Sequence, residues 1–293
     1  MYKIIQKRKI LVGISLFFCL ASVLILILFP PRLGIDFQGG AMIEIEKGDL
    51  TIPQIKDKLS SFDLGEIRIQ ATQNDTYVLR IKEIDEQLHQ EILKQLGNPT
   101  EIRYEIVGPV IGEEVKSKSK VAIILALILV FLYIVWAFRK LSRIFKHQES
   151  WRYGVGAIIA LAHDMLIMSG FYALLGVLKG VEINTLFVVA LLTILGYSVN
   201  DTIVIFDRIR ENTLLYGREN FEEVVNRSLN ESLVRSFNTS LTTIFVLLSL
   251  AFFAGSGIQT FALILIIGVI SGTWSSIAVA TPFILSGKKK ISS

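Results

Sequence analysis

Leu192-Thr-Ile-Leu-Gly-Tyr-Ser-Val-Asn-Asp-Thr-Ile-Val-Ile-Phe-Asp-Arg-Ile-Arg-Glu-Asn212 is apolar over most of its length, yet it carries Asp201 in its middle. The nearest charged residue towards its polar end is Asp207, roughly 9 Å further along a helix. At that depth a carboxylate lies within hydrocarbon. A charge there costs at least about 2.5–3.5 kcal/mol on insertion scales. A residue kept at such cost has a task, and binding and releasing a proton is the task a lone carboxylate suits.

The rest of the chain fits a membrane setting. Of its 293 residues 52% are hydrophobic, above the usual soluble balance. Six apolar stretches are long enough to span a bilayer: Ile10–Phe29, Val121–Phe138, Val155–Leu178, Ile183–Phe206, Thr239–Ala254 and Phe261–Leu285. The fifth is the shortest, and polar residues blur its start. The first follows Lys7-Arg8-Lys9 and stops at Pro30-Pro31 with no small-residue cleavage site, so it reads as a retained anchor rather than a signal peptide. Cys19 is the only cysteine and reads as a packed thiol.

Basic residues set the expected orientation. Lys3, Lys7, Arg8 and Lys9 precede the first stretch. Arg139, Lys140, Arg143, Lys146 and Arg152 lie between the second and third, and Arg208, Arg210, Arg218 and Arg227 between the fourth and fifth. Lys288–Lys290 close the chain. Threading six spans puts all of them on one side, with both termini in the cytoplasm. This bias accounts for the net charge of +4, which therefore gives no argument for nucleic acid.

Between the first two stretches the pattern turns soluble and reads strand, helix, strand, strand, helix, strand. Ala41–Glu46 alternates, with Ile43 and Ile45 opposite Glu44 and Glu46. Thr51 caps a helix with Pro53 in its first turn. Glu66–Thr72 and Thr76–Lys82 alternate around the turn Gln73-Asn74-Asp75. Asp85 caps a second helix bearing Leu88, Ile92, Leu93 and Leu96, which Gly97 ends. Glu101–Val107 is the last strand, with Ile102, Tyr104 and Ile106 on one face. That order predicts a small α+β, ferredoxin-like external domain. It holds no His, Cys and carboxylate cluster at metal spacing and no phosphate-binding loop, so it reads as a recognition or lever module. Gly34–Gly40 and Val107–Glu114 bracket it with glycines suited to tight turns and close backbone approach. Asp36, among those glycines, reads as a cap or turn residue.

Helical spacing sorts the intramembrane polar residues. Thr193, Tyr197, Asp201 and Arg208 form one stripe, flanked by Asn200; Ser232, Arg235, Thr239 and Thr242 form another on the next span. Asp201 and Arg235 enter from the same side and are expected to meet. Burial favours the neutral acid and a guanidinium favours the carboxylate, so a pair held between these influences changes protonation when helices shift. Tyr197, Asn200, Thr239 and Thr242 are candidate supports for a proton path. Asp164, with His163 beside it, is a second intramembrane acid. The alternative is a static ion pair that only packs helices. No paired catalytic aspartates or Ser/His set appears, and neither an enzyme nor a cofactor is expected; protons are the coupling ion.

Gly196–Asn212 resembles the signature of the SecF family, and so, in order along the chain, do Gly34–Gly40, Val107–Val115, Ala160-Leu-Ala-His-Asp164 and Arg235-Ser-Phe-Asn-Thr-Ser-Leu-Thr-Thr243. The last departs at Ser236, where the family usually has Thr, and at Leu241, where Gly is common. The resemblance implies a six-helix half of an RND-type transporter, completed by SecD in the bacterial cytoplasmic membrane. It implies inward proton flow that helps preproteins leave the SecYEG channel after SecA has acted, with Asp201 and Arg235 on the proton path. The chain shows one six-span unit and no second copy. A lone half would expose its polar stripe to lipid, so a partner is expected. The rival expectations are a half-transporter for a small molecule or lipid, and a non-transporting scaffold. The expected domains are a cytoplasmic N-terminus (1–9), the first span (10–29), the external domain (30–118), a five-helix bundle (119–286) and a basic tail (287–293).

Overall fold

A computed structural model describes residues 2–72, 75–138, 150–217 and 220–285. Gln73 and Asn74 of the expected turn, and the basic residues Arg139, Lys140, Arg143, Lys146, Arg218 and Lys288–Lys290, lie outside the described residues. The chain divides into two units. One is helical and comprises Met1–Pro30, Ala122–Val177 and Phe187–Ser293; the other carries the sheet and comprises Pro31–Val121 with Leu178–Leu186.

In the sheet unit, β1 (Gly40–Glu46), β2 (Arg68–Ala71), β3 (Thr76–Ile81) and β4 (Glu101–Val107) form one four-stranded sheet in the order β2-β3-β1-β4. All three pairings are antiparallel. Its helices are α2 (Ile35–Gln38), α3 (Ile52–Leu59) between β1 and β2, and α4 (Glu86–Leu96) between β3 and β4. Ala41, Ile43, Ile45 and Leu79 of the sheet pack with Ile55, Leu59, Ile92 and Leu96 of α3 and α4. A side chain such as Ile92, fully buried, contributes about 1.5–3 kcal/mol by leaving water. Thr51 and Gln54 close a capping box, and Asp85 accepts from the Leu88 N–H at 2.8 Å. Gly97 ends α4 in the left-handed region at φ 97°.

The last strand forms over the expected Glu101–Val107. Its apolar residues are only partly buried: Ile102 and Ile106 are 52% and 43% exposed, while Tyr104 stacks on His89 at 3.6 Å between ring centroids. β4 is an edge strand, so α4 covers its middle and leaves its ends open. The two glycine segments pack against each other. Gly39 takes φ 76°, and a Cβ on it would lie 2.8 Å from Pro109 Cα.

Among the described residues, six helices are long and apolar enough to cross a membrane. They are α1 (Arg8–Leu28), α5 (Pro109–Ala137), α6 (Ser150–Lys179), α7 (Thr185–Tyr216), α8 (Phe221–Phe253) and the last span, built from α9 (Ser256–Ser275), a π turn (Ser276–Ala280) and α10 (Thr281–Leu285). Helix α5 starts at Pro109, well before the apolar run at Val121, because a proline without an N–H suits a first helical position. Half or more of the apolar window is buried in α6, α7 and the last span (50%, 56% and 61%), against 11%, 6% and 17% for α1, α5 and α8. The first three therefore make the interior, and the others offer faces to lipid or a partner.

Small residues let those interior helices touch. Gly268, Gly272 and Ser276 meet Ile194, Ser198 and Thr202 in turn, so α7 and the last span run side by side in the same direction at four-residue steps. A Cβ on Gly272 would lie 2.9 Å from the Ser198 Cβ. The π turn precedes Pro282, which has no N–H to give an α-helical ladder, and the Thr281 hydroxyl donates to the Ser276 carbonyl at 2.7 Å.

Candidate functional site

Asp164 lies in the middle of α6 and is 1% exposed. Three serine hydroxyls donate to it: Ser198 of α7 at 2.6 Å and Ser275 of α9 at 2.8 Å to Oδ2, and Ser271 of α9 at 2.8 Å to Oδ1. His163 Nδ1 lies 2.9 Å from Oδ1. Ser271 and Ser275 are one turn apart on α9, so they reach the same acid. A buried carboxylate supplied with donors from three helices ties those helices together.

Asp201, on α7, is 7% exposed. Ser236 of α8 and Ser276 of the π turn approach it. Among the described residues, however, neither Asp201 Oδ2 nor the Ser236 hydroxyl completes a hydrogen bond. Ser276 instead pairs with the Thr202 hydroxyl at 2.8 Å and donates to the Gly272 carbonyl at 2.9 Å. The site thus combines one acid with its donors in place and one with an open oxygen. An open, buried carboxylate oxygen can accept a proton without first losing a hydrogen bond.

The expected Asp201–Arg235 contact is not formed, and this corrects the sequence reading. Arg235 is exposed on α8, and no ion pair joins it to Asp201 among the described residues. Helix α8 has two polar stripes rather than one. Ser228, Ser232, Ser236 and Ser240 recur every four residues and are all buried; Arg235, Thr239 and Thr242 face outward. The expected stripe mixed the two by placing Ser232 with Arg235. The outer threonines donate to their own helix, Thr239 to the Arg235 carbonyl at 2.9 Å and Thr242 to the Asn238 carbonyl at 3.0 Å. Asn200 is exposed, whereas Tyr197 is half-buried and reaches Ser240 at 3.3 Å. The sequence reading missed Ser198, Ser271, Ser275 and Ser276. The signal of the last three was present as serines and glycines four residues apart in the last apolar stretch.

At the cytoplasm-facing end expected from the basic residues, Glu231 of α8 joins Arg208 at 2.6 Å, Arg227 at 3.0 Å and the Asn212 amide at 2.7 Å. Arg208 is therefore an anchor between α7 and α8.

Residues 88–290 match the family model of the protein export membrane protein SecD/SecF, C-terminal, and residues 24–46 match the SecD/SecF GG motif. A protein translocase subunit SecF from Thermobaculum terrenum is 42% identical over 99% of this chain and 95% of that protein. One from Anaerolinea thermophila is 37% identical over 96% and 92%. The crystal structure of SecDF from Thermus thermophilus, described as a translocon-associated membrane protein, superposes with a TM-score of 0.83 at 31% identity and covers 97% of this chain. This chain spans 38% of the length of that SecDF chain.

Proposed function

Because this chain belongs to the SecD/SecF family of protein-export membrane proteins, we propose that it serves as the SecF-type subunit of a Sec preprotein translocase and works with a SecD partner. The pair uses inward proton flow to promote late stages of export through SecYEG, after the ATPase SecA has acted. Asp201 binds and releases the proton. Asp164 keeps its serine donors and supports the path, as does Tyr197. Arg235 acts from the outer face of α8, together with Asn200, Thr239 and Thr242, where the partner half closes the path. The observation that carries this reading is the buried Asp201 carboxylate, one oxygen of which is open among the described residues, next to a helix whose outward face holds an arginine and threonines.

The sheet unit is the ferredoxin-like module of this machine. The order strand, helix, strand, strand, helix, strand and the arrangement β4-β1-β3-β2 support that reading. It lies outside the cytoplasm in this proposal, with both termini inside. A cysteine placed at exposed Lys94 in a Cys19→Ser background should label from the outer side of intact cells; labelling only after permeabilisation would reverse the topology.

Preprotein translocation into inverted vesicles at limiting ATP, with and without a proton gradient, tests the mechanism. Asp201→Asn keeps shape and removes the titratable charge, so the gradient-dependent increment should vanish while assembly with the partner persists. An unchanged increment would leave a non-transporting scaffold as the better reading.

A further inference from the structure

The segment Leu178–Leu186 joins α6 to α7, yet it belongs to the sheet unit. It is fastened there by several independent contacts. The Glu182 carboxylate, 9% exposed, takes Arg80 Nε at 3.1 Å and Arg68 Nη1 at 3.4 Å. The Gln70 amide donates to the Lys179 carbonyl and accepts from Arg80 at 3.1 Å. Ile183 forms a parallel bridge with Leu33, through Gly34 N–H to Ile183 O at 2.8 Å and Ile183 N–H to Arg32 O at 2.7 Å. Asp36 Oδ2 accepts from the Thr185 N–H at 2.7 Å. Thr185 is the first residue of α7, so Asp36 caps the helix that carries Asp201.

These contacts exceed what a connecting loop needs. A largely buried carboxylate shared by two arginines on neighbouring strands is specific in geometry, and its two partners leave β2 and β3 little freedom to slide past the loop. The approach is close at Gly34, where a Cβ would lie 3.1 Å from the Ile183 carbonyl oxygen. Continuous helix then runs from the capped end of α7 to Asp201, about 24 Å at the helical rise.

We propose that Glu182 and Asp36 are positioning residues that latch the α6–α7 connection to the sheet, so that displacement of α7 is passed to the sheet unit. The latch rests on the proton-driven reading of Asp201. Its role is transmission. In Glu182→Gln, Arg68 keeps Glu66 at 2.8 Å, but Arg80 loses its carboxylate, and the loop is freed from β3.

The test uses the whole translocase in inverted vesicles and reads proton flux and gradient-dependent export side by side. Glu182→Gln and Arg80→Gln should each lower the export increment by about fivefold or more, a typical coupling loss. Proton flux should stay within about twofold, a change smaller than that coupling range. A disulfide between Leu33→Cys and Ile183→Cys, in a Cys19→Ser background, should restore export to Glu182→Gln, and a reductant should remove it again. Export unchanged in Glu182→Gln overturns the latch. So does parallel loss of flux and export that the cross-link leaves unrepaired, since that marks a folding defect. If Asp201→Asn keeps both flux and increment, the proton-driven reading falls instead, and this result does not depend on Glu182.

Discussion

Asp164 and Asp201 stand on adjacent helices, 1% and 7% exposed, and their oxygens are treated differently. Asp164 collects Ser198, Ser271 and Ser275 and touches His163. Among the described residues, Asp201 Oδ2 has no hydrogen-bond partner, and neither has the Ser236 hydroxyl beside it. A carboxylate with its donors in place holds helices together and resists change, because any move breaks several bonds at once. One with an open oxygen pays less to change state. Burial therefore does not distinguish the two acids, and their hydrogen bonds do.

The largest effect that could break this contrast is functional. Asp201→Asn should abolish the gradient-dependent export increment, while its melting temperature in detergent should shift by no more than about 2–3 °C, as expected when no formed bond is lost. If Asp201→Asn unfolds the protein, the open carboxylate is structural after all.

Asp164→Ala should do the reverse and damage stability first. It leaves three buried hydroxyls without their acceptor and opens a cavity, a loss of about 2–3 kcal/mol. Thermal melts of the purified protein should fall by roughly 5–10 °C. A melt like the wild type would show that the serines are satisfied by their own helices and that the cage binds little.

Ser271→Ala sharpens the same point, since it removes one donor of three. About 1 kcal/mol is expected, or roughly 2–4 °C. Gradient-driven export should persist; a loss as large as that of Asp201→Asn would place Ser271 on the proton path.

The smallest effect belongs to a carboxylate in water. Asp63 is bonded by Lys82, which holds its carboxyl below the usual range. A lowered acid stabilises the fold above its ordinary pKa and loses that contribution as pH falls through the lowered value. Asp63→Asn should therefore melt slightly below the wild type near pH 7 in low salt, and the curves should merge in acid and in about 1 M salt. A gap that widens as pH falls would reverse the sign.

Much of the architecture was legible in the sequence. Six apolar runs, the cap residues Thr51 and Asp85, the stop at Gly97 and the strand order follow from local periodicity and turn chemistry, which act over a few residues. Asp201 was legible because a charge inside an apolar run stands out without any knowledge of neighbours. Asp36 was read as a cap, but the helix it caps begins far along the chain at Thr185, and no local pattern reports such a partner.

What the tertiary structure decided is which polar face looks inward. On α8, serines at every fourth residue and the outer Arg235, Thr239 and Thr242 have overlapping periodicities, so spacing alone let Ser232 and Arg235 fall on one stripe. Packing against α7 and the last span separated them, because glycines and serines allow the close approach that an arginine blocks. The sequence by itself determined the spans, the soluble insertion and the buried acid. The fold alone decided that Asp164 is caged, that Asp201 has an open oxygen among the described residues and that Glu182 is held by two arginines. Those facts depend on distances between segments remote in sequence, and such distances are set by the packing of whole helices and strands.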